Sequence, residues 1–381
     1  MKPWENVVSD MKLRASYGVN GNLPTGYYGY HGTYTTGAFY NGNPAPWEDA
    51  IANPDLTWEK NYALNLGVDL SLFRRVNLTF DWYTRTTKDL LMSKQLNSIS
   101  GFGSILTNVG EMKNTGFEIE VRSSNIQTKD FSWNTTLSVT WSKEKIEKLP
   151  DGDLISENLF VGHSIKSIYG YKYTGIWGTN TPQDILDAYG VKPGFIQIET
   201  LEKDGDGGVH KYSTNDRQVL GHTNPDWIVG LNNTFTYKNF DLSVFAMARY
   251  GQTINSDLLG YYTAEQSVTT NQLAGADYWT ENNQGAYYPA PGTGSEQSTV
   301  ISALRVRDGS FIKVKNITLG YTFPVNISRK ALMEKCRIYA TAYNPFIYVK
   351  DKQLKGTDPE TNGSDAFPTF RQFVFGVNLT F

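Results

Sequence analysis

A two-residue alternation of apolar and polar side chains, sustained over stretches long enough to cross a bilayer, limits what this chain can fold into. Tyr62, Leu64, Leu66, Val68, Leu70 and Leu72 interleave with Ala63, Asn65, Gly67, Asp69 and Ser71, and no helical period of three to four residues competes over that window. Successive side chains of a strand point to opposite faces, so one flank is oily and the other polar. Roughly 9 to 11 tilted residues suffice to span the hydrocarbon. The pattern returns at Val76, Leu78, Phe80 and Trp82 against Asn77, Thr79 and Asp81, and at Phe131, Trp133, Leu137, Val139 and Trp141 against Ser132, Asn134, Thr136, Ser138 and Thr140. It returns again at Ile317, Leu319, Tyr321 and Phe323 against Asn316, Thr318, Gly320 and Thr322. A soluble sheet wet on one side carries a similar stripe, so the connections between strands have to decide.

The connections favour a transmembrane barrel. Candidate strands lie at about 11–18, 59–73, 76–92, 105–123, 131–142, 227–238, 240–250, 311–323, 336–349 and 370–381. With Phe381 taken as periplasmic, Arg74-Arg75, Ser124 to Asp130, Lys238-Asn239 and Pro324 to Lys335 fall on the periplasmic side, and all are short. The connections at 19–58, 93–104, 143–226, 251–310 and 350–369 fall outside, and all but one are long. Barrels show that asymmetry. Ser167 to Trp177 also alternates and is assigned to sheet within the large outer loop; were it to cross the membrane, every earlier connection would change sides. The fold class expected is all-β, an antiparallel transmembrane β-barrel of about ten strands. Unpaired strand edges in lipid cost several kcal/mol per backbone group, so these strands are expected to complete a larger barrel supplied by a longer parent.

Composition excludes several classes. No apolar run approaches the roughly 18 residues of a spanning helix, which removes helical membrane proteins. A net charge of −3 with no long basic run argues against a nucleic-acid partner. The lone cysteine, Cys336, forms no internal disulfide. Met1-Lys-Pro-Trp-Glu-Asn lacks the basic and apolar regions of a signal peptide, so export implies a longer precursor. Asn77/Thr79, Asn134/Thr136, Asn232/Thr234, Asn316/Thr318 and Asn378/Thr380 match glycosylation triplets, but each pair lies opposite the oily stripe and reads more plainly as a wet, hydrogen-bonding wall.

The order of several blocks resembles the C-terminal portion of a SusC/RagA-type TonB-dependent outer-membrane transporter. They are Leu13-Arg-Ala-Ser-Tyr-Gly-Val-Asn-Gly-Asn22, Asn53-Pro-Asp-Leu-Thr-Trp-Glu59, Asn108-Val-Gly-Glu-Met-Lys-Asn-Thr-Gly-Phe-Glu118, Gly162-His-Ser-Ile165 with Tyr169-Gly-Tyr-Lys172, and Asp308-Gly-Ser-Phe-Ile-Lys-Val-Lys-Asn-Ile-Thr-Leu-Gly-Tyr-Thr-Phe-Pro324. The resemblance covers nearly the whole chain and implies the last strands of a barrel of about 22. It implies a bacterial outer-membrane importer of oligosaccharides or peptides, with a SusD-like surface lipoprotein as partner and TonB acting through an N-terminal part that is not seen here. A siderophore or cobalamin receptor is the nearer alternative, and a soluble extracellular glycan-binding β-protein the more distant one.

Candidate sites are few. Glu202-Lys-Asp204-Gly-Asp206-Gly-Gly-Val209, with Asp216 beyond it, resembles half of an EF-hand-like loop and suggests Ca2+ as the one cofactor, although an ordinary acidic turn accounts for the same residues. Loop aromatics such as Tyr28, Trp47, Tyr262 and Trp279 are candidates for stacking on cargo, against the plainer reading of loop packing. Phe373, Phe375, Gly376, Val377, Leu379 and the terminal Phe381 form the closing strand, expected to face lipid and to be read by the barrel-assembly machinery. His31, His163, His210 and His222 make no zinc helix, and no G-x-S-x-G or Walker motif occurs, so transport rather than catalysis is expected.

Overall fold

The structure is a computed structural model, and it describes all residues except 1–6, 24–27, 38, 202–210, 262–274, 293–296, 365–366 and 368. Ten long strands carry it: β1 (Val8–Asn22), β2 (Glu59–Leu72), β3 (Val76–Gln95), β4 (Ser104–Gln127), β5 (Phe131–Lys148), β6 (Trp227–Tyr237), β7 (Phe240–Tyr250), β8 (Phe311–Thr322), β9 (Lys335–Val349) and β10 (Gln372–Thr380). They stand in one sheet in chain order, each beside the next. All ten expected strands are present. Several outrun the alternation that located them, β1 starting at Val8 and β5 reaching Lys148. Backbone pairing continues past the oily segment, because main-chain hydrogen bonds do not depend on the alternation of side-chain polarity.

The chain divides into two compact units, residues 1–124 with 136–165 and residues 125–135 with 166–381. In the first, β1 and β2 pair from Val8↔Leu72 to Asn22↔Glu59, and β2 and β3 from Leu72↔Val76 to Lys60↔Lys88. The β2–β3 turn places Phe73 and Arg74 at φ 51° and 53°, a conformation usually left to Gly or Asn. Phe80 and Phe117 stack at 6.3 Å on the apolar flank, and Phe117 and Trp141 at 5.6 Å.

In the second unit, β6 to β10 form antiparallel ladders from Trp227↔Tyr250 through to Lys335↔Thr380. Its long connections fold into structure of their own. Ser167–Gly170 pairs with Gln218–His222, and Tyr173–Ile176 with Ile196–Ile198, so the alternating segment near Ser167 is loop sheet as expected. Thr253–Asn255 pairs with Val306–Asp308, and helix α1 (Gln183–Tyr189) ends on Gly190 in the left-handed conformation.

Apolar burial is concentrated in these loops. Tyr171, Ile196, Ile254, Leu259, Leu304 and Leu354 share one buried cluster, and Trp177, Leu186 and Phe195 another. The strand flanks are bare by contrast: Leu13 is 72% exposed, Leu319 51%, Phe375 81% and Val377 60%. A sandwich would have covered them with a second layer. At about 25 cal/mol per Å2, leaving these stripes in water would be costly, whereas hydrocarbon accepts them.

Candidate functional site

The polar flank of the sheet is held by charge pairs that reach across a glycine. In the first unit Arg14 on β1 grips two carboxylates: Nε and Nη2 donate to Asp69 on β2 at 2.9 and 3.0 Å, and Nη1 and Nη2 to Asp81 on β3 at 2.6 and 2.8 Å. Gly67 lies between β1 and β3 in register with both, and a Cβ there would stand 2.4 Å from Asp81 Oδ1 and 2.7 Å from Arg14 Cζ. Only a residue without a side chain lets the pair close over two strand spacings, roughly 9 to 10 Å. The second unit repeats the device. Arg337 on β9 donates to Asp241 on β7 at 2.9 and 2.5 Å, across Gly320 of β8. Ser71 donates to Asn77 at 2.8 Å, and Thr318 and Thr341 share a bond of 2.9 Å, as a hydrogen-bonding wall requires. Asp69, Asp81 and Gly320 sat in the polar stripe of the sequence, but nothing in their spacing named Arg14 or Arg337 as partners.

The apolar flank is less uniform than the alternation implied. Trp133 Nε1 and Thr135 Oγ1 both donate to Asn233 Oδ1, at 2.9 and 2.7 Å, and Asn125 donates to Thr135 at 2.7 Å. Asn233 falls in register between Trp227 and Tyr237 on the oily side of β6, and its mutual bonding with Thr135 meets the cost of polar atoms there.

Two blocks noticed separately in sequence meet in the first unit. Asn108 Oδ1 accepts from Thr57 N–H at 2.8 Å while its Nδ2 donates to the Thr57 carbonyl at 2.9 Å. Asn53 donates to the Leu106 carbonyl at 2.7 Å, and Glu59 accepts from Leu91 N–H at 3.0 Å. The Asn53–Glu59 block is thus a clamp for the non-turn ends of β2, β3 and β4.

The folded loops of the second unit enclose a cavity of about 600 Å3, lined by Tyr171, Tyr173, Gln218, Gln252, Arg307 and Lys350 among others. It sits at the ends of β7, β8 and β9 remote from their short turns. The Asp308 block builds part of its wall: Gly309 N–H donates to the Gln252 carbonyl at 2.9 Å, and Lys350 reaches Asp308 at 2.7 Å. Burial works against the charge of Asp308, but hydrogen bonds from Lys350 and Ser310 outweigh it and hold the carboxyl below its usual range. Burial pushes the Tyr173 hydroxyl up to about 12.

The residues singled out in sequence fare unevenly. Glu202, Asp204, Asp206 and Tyr262 lie outside the described residues. Asp216 is fully buried and its carboxylate serves the backbone, accepting from Leu201 N–H at 2.9 Å and Ser213 N–H at 2.8 Å. Among the described residues no three His, Cys, Asp or Glu gather as a metal site. Tyr28 and Trp47 are exposed, at 71% and 57%. Trp279 is a correction: it is 6% exposed and its ring would touch any Cβ placed at Gly194, so it is loop core and not an open stacking face. Phe373, Phe375, Val377 and Leu379 line the bare flank of β10, while Gly376 lies opposite them under the Tyr339 ring, and Phe381 is 83% exposed.

Comparison with known proteins agrees with this geometry. The family described as TonB dependent receptor-like, beta-barrel, matches residues 4–344. TonB-dependent receptor P3 of Formosa agariphila is 32% identical over 99% of this chain and 40% of its own length. TonB-dependent receptor SusC of Bacteroides thetaiotaomicron is 30% identical over 99% of this chain and 38% of its own. The solved structure of the RagAB peptide transporter superposes with a TM-score of 0.79 at 25% identity, covering 99% of this chain and 41% of that one. The chain therefore spans about 40% of the length of the relatives it matches. On these matches, and on the bare and polar flanks of its ten strands, the chain belongs to the TonB dependent receptor-like beta-barrel family of outer-membrane proteins.

Proposed function

We propose that this chain supplies barrel wall and outer vestibule to a TonB-energised importer of oligosaccharides or peptides. The observation that carries the reading is the division of labour within one sheet: apolar flanks bare as lipid would leave them, polar flanks tied by Arg14–Asp81 and Arg337–Asp241, and folded loops with a cavity at the strand ends remote from the short turns. A cargo of several sugar rings or residues needs such a wet, polar path, and no covalent chemistry is asked of the wall. A SusD-like lipoprotein would cover the outer loops, and TonB would act through a part of the protein beyond this chain. The acidic stretch from Glu202 to Asp206 is proposed to take Ca2+.

Uptake of a fluorescent oligosaccharide and a fluorescent peptide library by cells that depend on this protein tests the reading. Uptake of at least one cargo class should stop when TonB or the neighbouring lipoprotein is deleted. Uptake that persists without TonB refutes the energised importer.

A further inference from the structure

We propose that the loop cavity beside Arg307 binds a carboxylate carried by the cargo, an inference that rests on the importer reading above and names the chemistry of its substrate. Three cationic side chains line the cavity. Lys172 is neutralised by Glu199 at 3.1 Å and Lys350 by Asp308 at 2.7 Å. Arg307 has no such partner among the described residues. Its guanidinium lies over the rings of Tyr287 and Tyr173, at 4.2 and 5.1 Å from their centroids. Its Nε donates to the Leu304 carbonyl at 3.2 Å, and its Nη2 is buried with no acceptor.

A buried guanidinium ordinarily holds a carboxylate by two parallel bonds, and one neutral hydrogen bond is little return for its desolvation. The remaining carboxylates of the cavity do not supply the difference. Asp308 is taken by Lys350, and Asp226 faces His222 at 3.6 Å. Asp351 is close enough for its field to favour the charge on Arg307, but its Oδ1 accepts from Gln353 N–H at 2.9 Å and it makes no ion pair with the guanidinium. The two tyrosine faces meanwhile fix the plane of the guanidinium, so that little entropy is lost when an anion arrives. A volume of about 600 Å3 with Tyr171, Tyr173 and Tyr250 on its walls suits a sugar ring or an amino-acid residue attached to that carboxylate. A peptide C-terminus and a uronic acid both present this group.

Isothermal titration calorimetry on the full-length transporter in detergent, with two matched pairs of probes, tests the site. One pair is a heptapeptide as free acid and as C-terminal amide; the other is an oligogalacturonate and its methyl ester. The charged member of one pair should bind at least about tenfold more tightly than its neutral counterpart, and the pair that shows this identifies the source of the carboxylate. Arg307→Gln should remove the preference, the charged and neutral members of each pair then binding alike. Asp351→Asn keeps the oxygen that accepts from Gln353 and should raise the preference by about threefold, a gain that does not depend on how well the Arg307 variant folds. Equal binding within both pairs, no binding of any probe, or a preference that survives Arg307→Gln overturns the proposal. Energised uptake of the members of both pairs, measured alongside, separates the two readings: energised uptake without a carboxylate preference removes this site alone, and no energised uptake of any probe removes the importer.

Discussion

Lys313→Met should loosen the loop that follows β9 far more than an ordinary surface substitution would. Lys313 lies on β8 with its side chain 2% exposed, bonded to Asp358 and, at 2.9 Å, to Glu360. Deleting one partner of a buried ion pair costs about 3 to 5 kcal/mol, because the other charge is stranded. Here the lower end applies. Glu360 keeps Lys315 at 2.8 Å, and Asp358 Oδ1 still accepts from Glu360 N–H at 3.1 Å. About 3 kcal/mol corresponds to a rise of roughly a hundredfold in the population of the opened loop. Limited proteolysis of the membrane-embedded protein reads that population directly when opening is fast relative to cleavage. Cleavage within residues 350–364 should therefore accelerate by about two orders of magnitude. The triple variant Lys313→Met, Asp358→Asn, Glu360→Gln should recover most of the loss, since the one charge then left without its partner, Lys315, is 30% exposed and reaches water. Acceleration below about fivefold, or a triple variant as labile as the single, would refute the view that a stranded charge sets the cost.

Gly320→Ala should cost about 1 to 3 kcal/mol in thermal stability, since its Cβ would stand 2.4 Å from Arg337 and 2.5 Å from Asp241; Asp241→Ala in the same background should relieve part of it, and additive losses would count against the bridge. Burial pushes the Tyr212 hydroxyl up to about 12, against roughly 10 in an unfolded chain, so its contribution to stability is whole below about pH 10 and disappears as pH climbs towards 12. The tyrosinate absorbance difference between wild type and Tyr212→Phe should place that one titration near 12, and a midpoint near 10 would show the ring to be open to water. Millimolar Ca2+ added to chelator-treated protein should slow cleavage between residues 200 and 217; an unchanged rate rejects the Ca2+ proposal.

Strand number, order and flank facing were legible before any coordinates, because a period of two sustained over bilayer lengths has few other physical causes. The loop segment at Ser167 was placed correctly for a related reason: loop-length asymmetry left no room for a further crossing. The charge pairs were not legible. Arg14 reaches Asp81 from 67 positions away and Arg337 reaches Asp241 from 96, and each needs an intervening glycine whose role is visible only when three strands lie side by side. Trp279 stayed open between stacking and packing for a comparable reason, since an aromatic in a long loop looks alike in sequence whether the loop is open or folded on a core of its own.

What the sequence determined by itself was the wall: alternation settles which side chains share a face, and length settles that the face can cross a membrane. What only the tertiary structure decided was the loop core, the cavity at Arg307 and the clasp at Lys313. Those depend on distant segments meeting in water, where burial and charge pairing carry no fixed period along the chain.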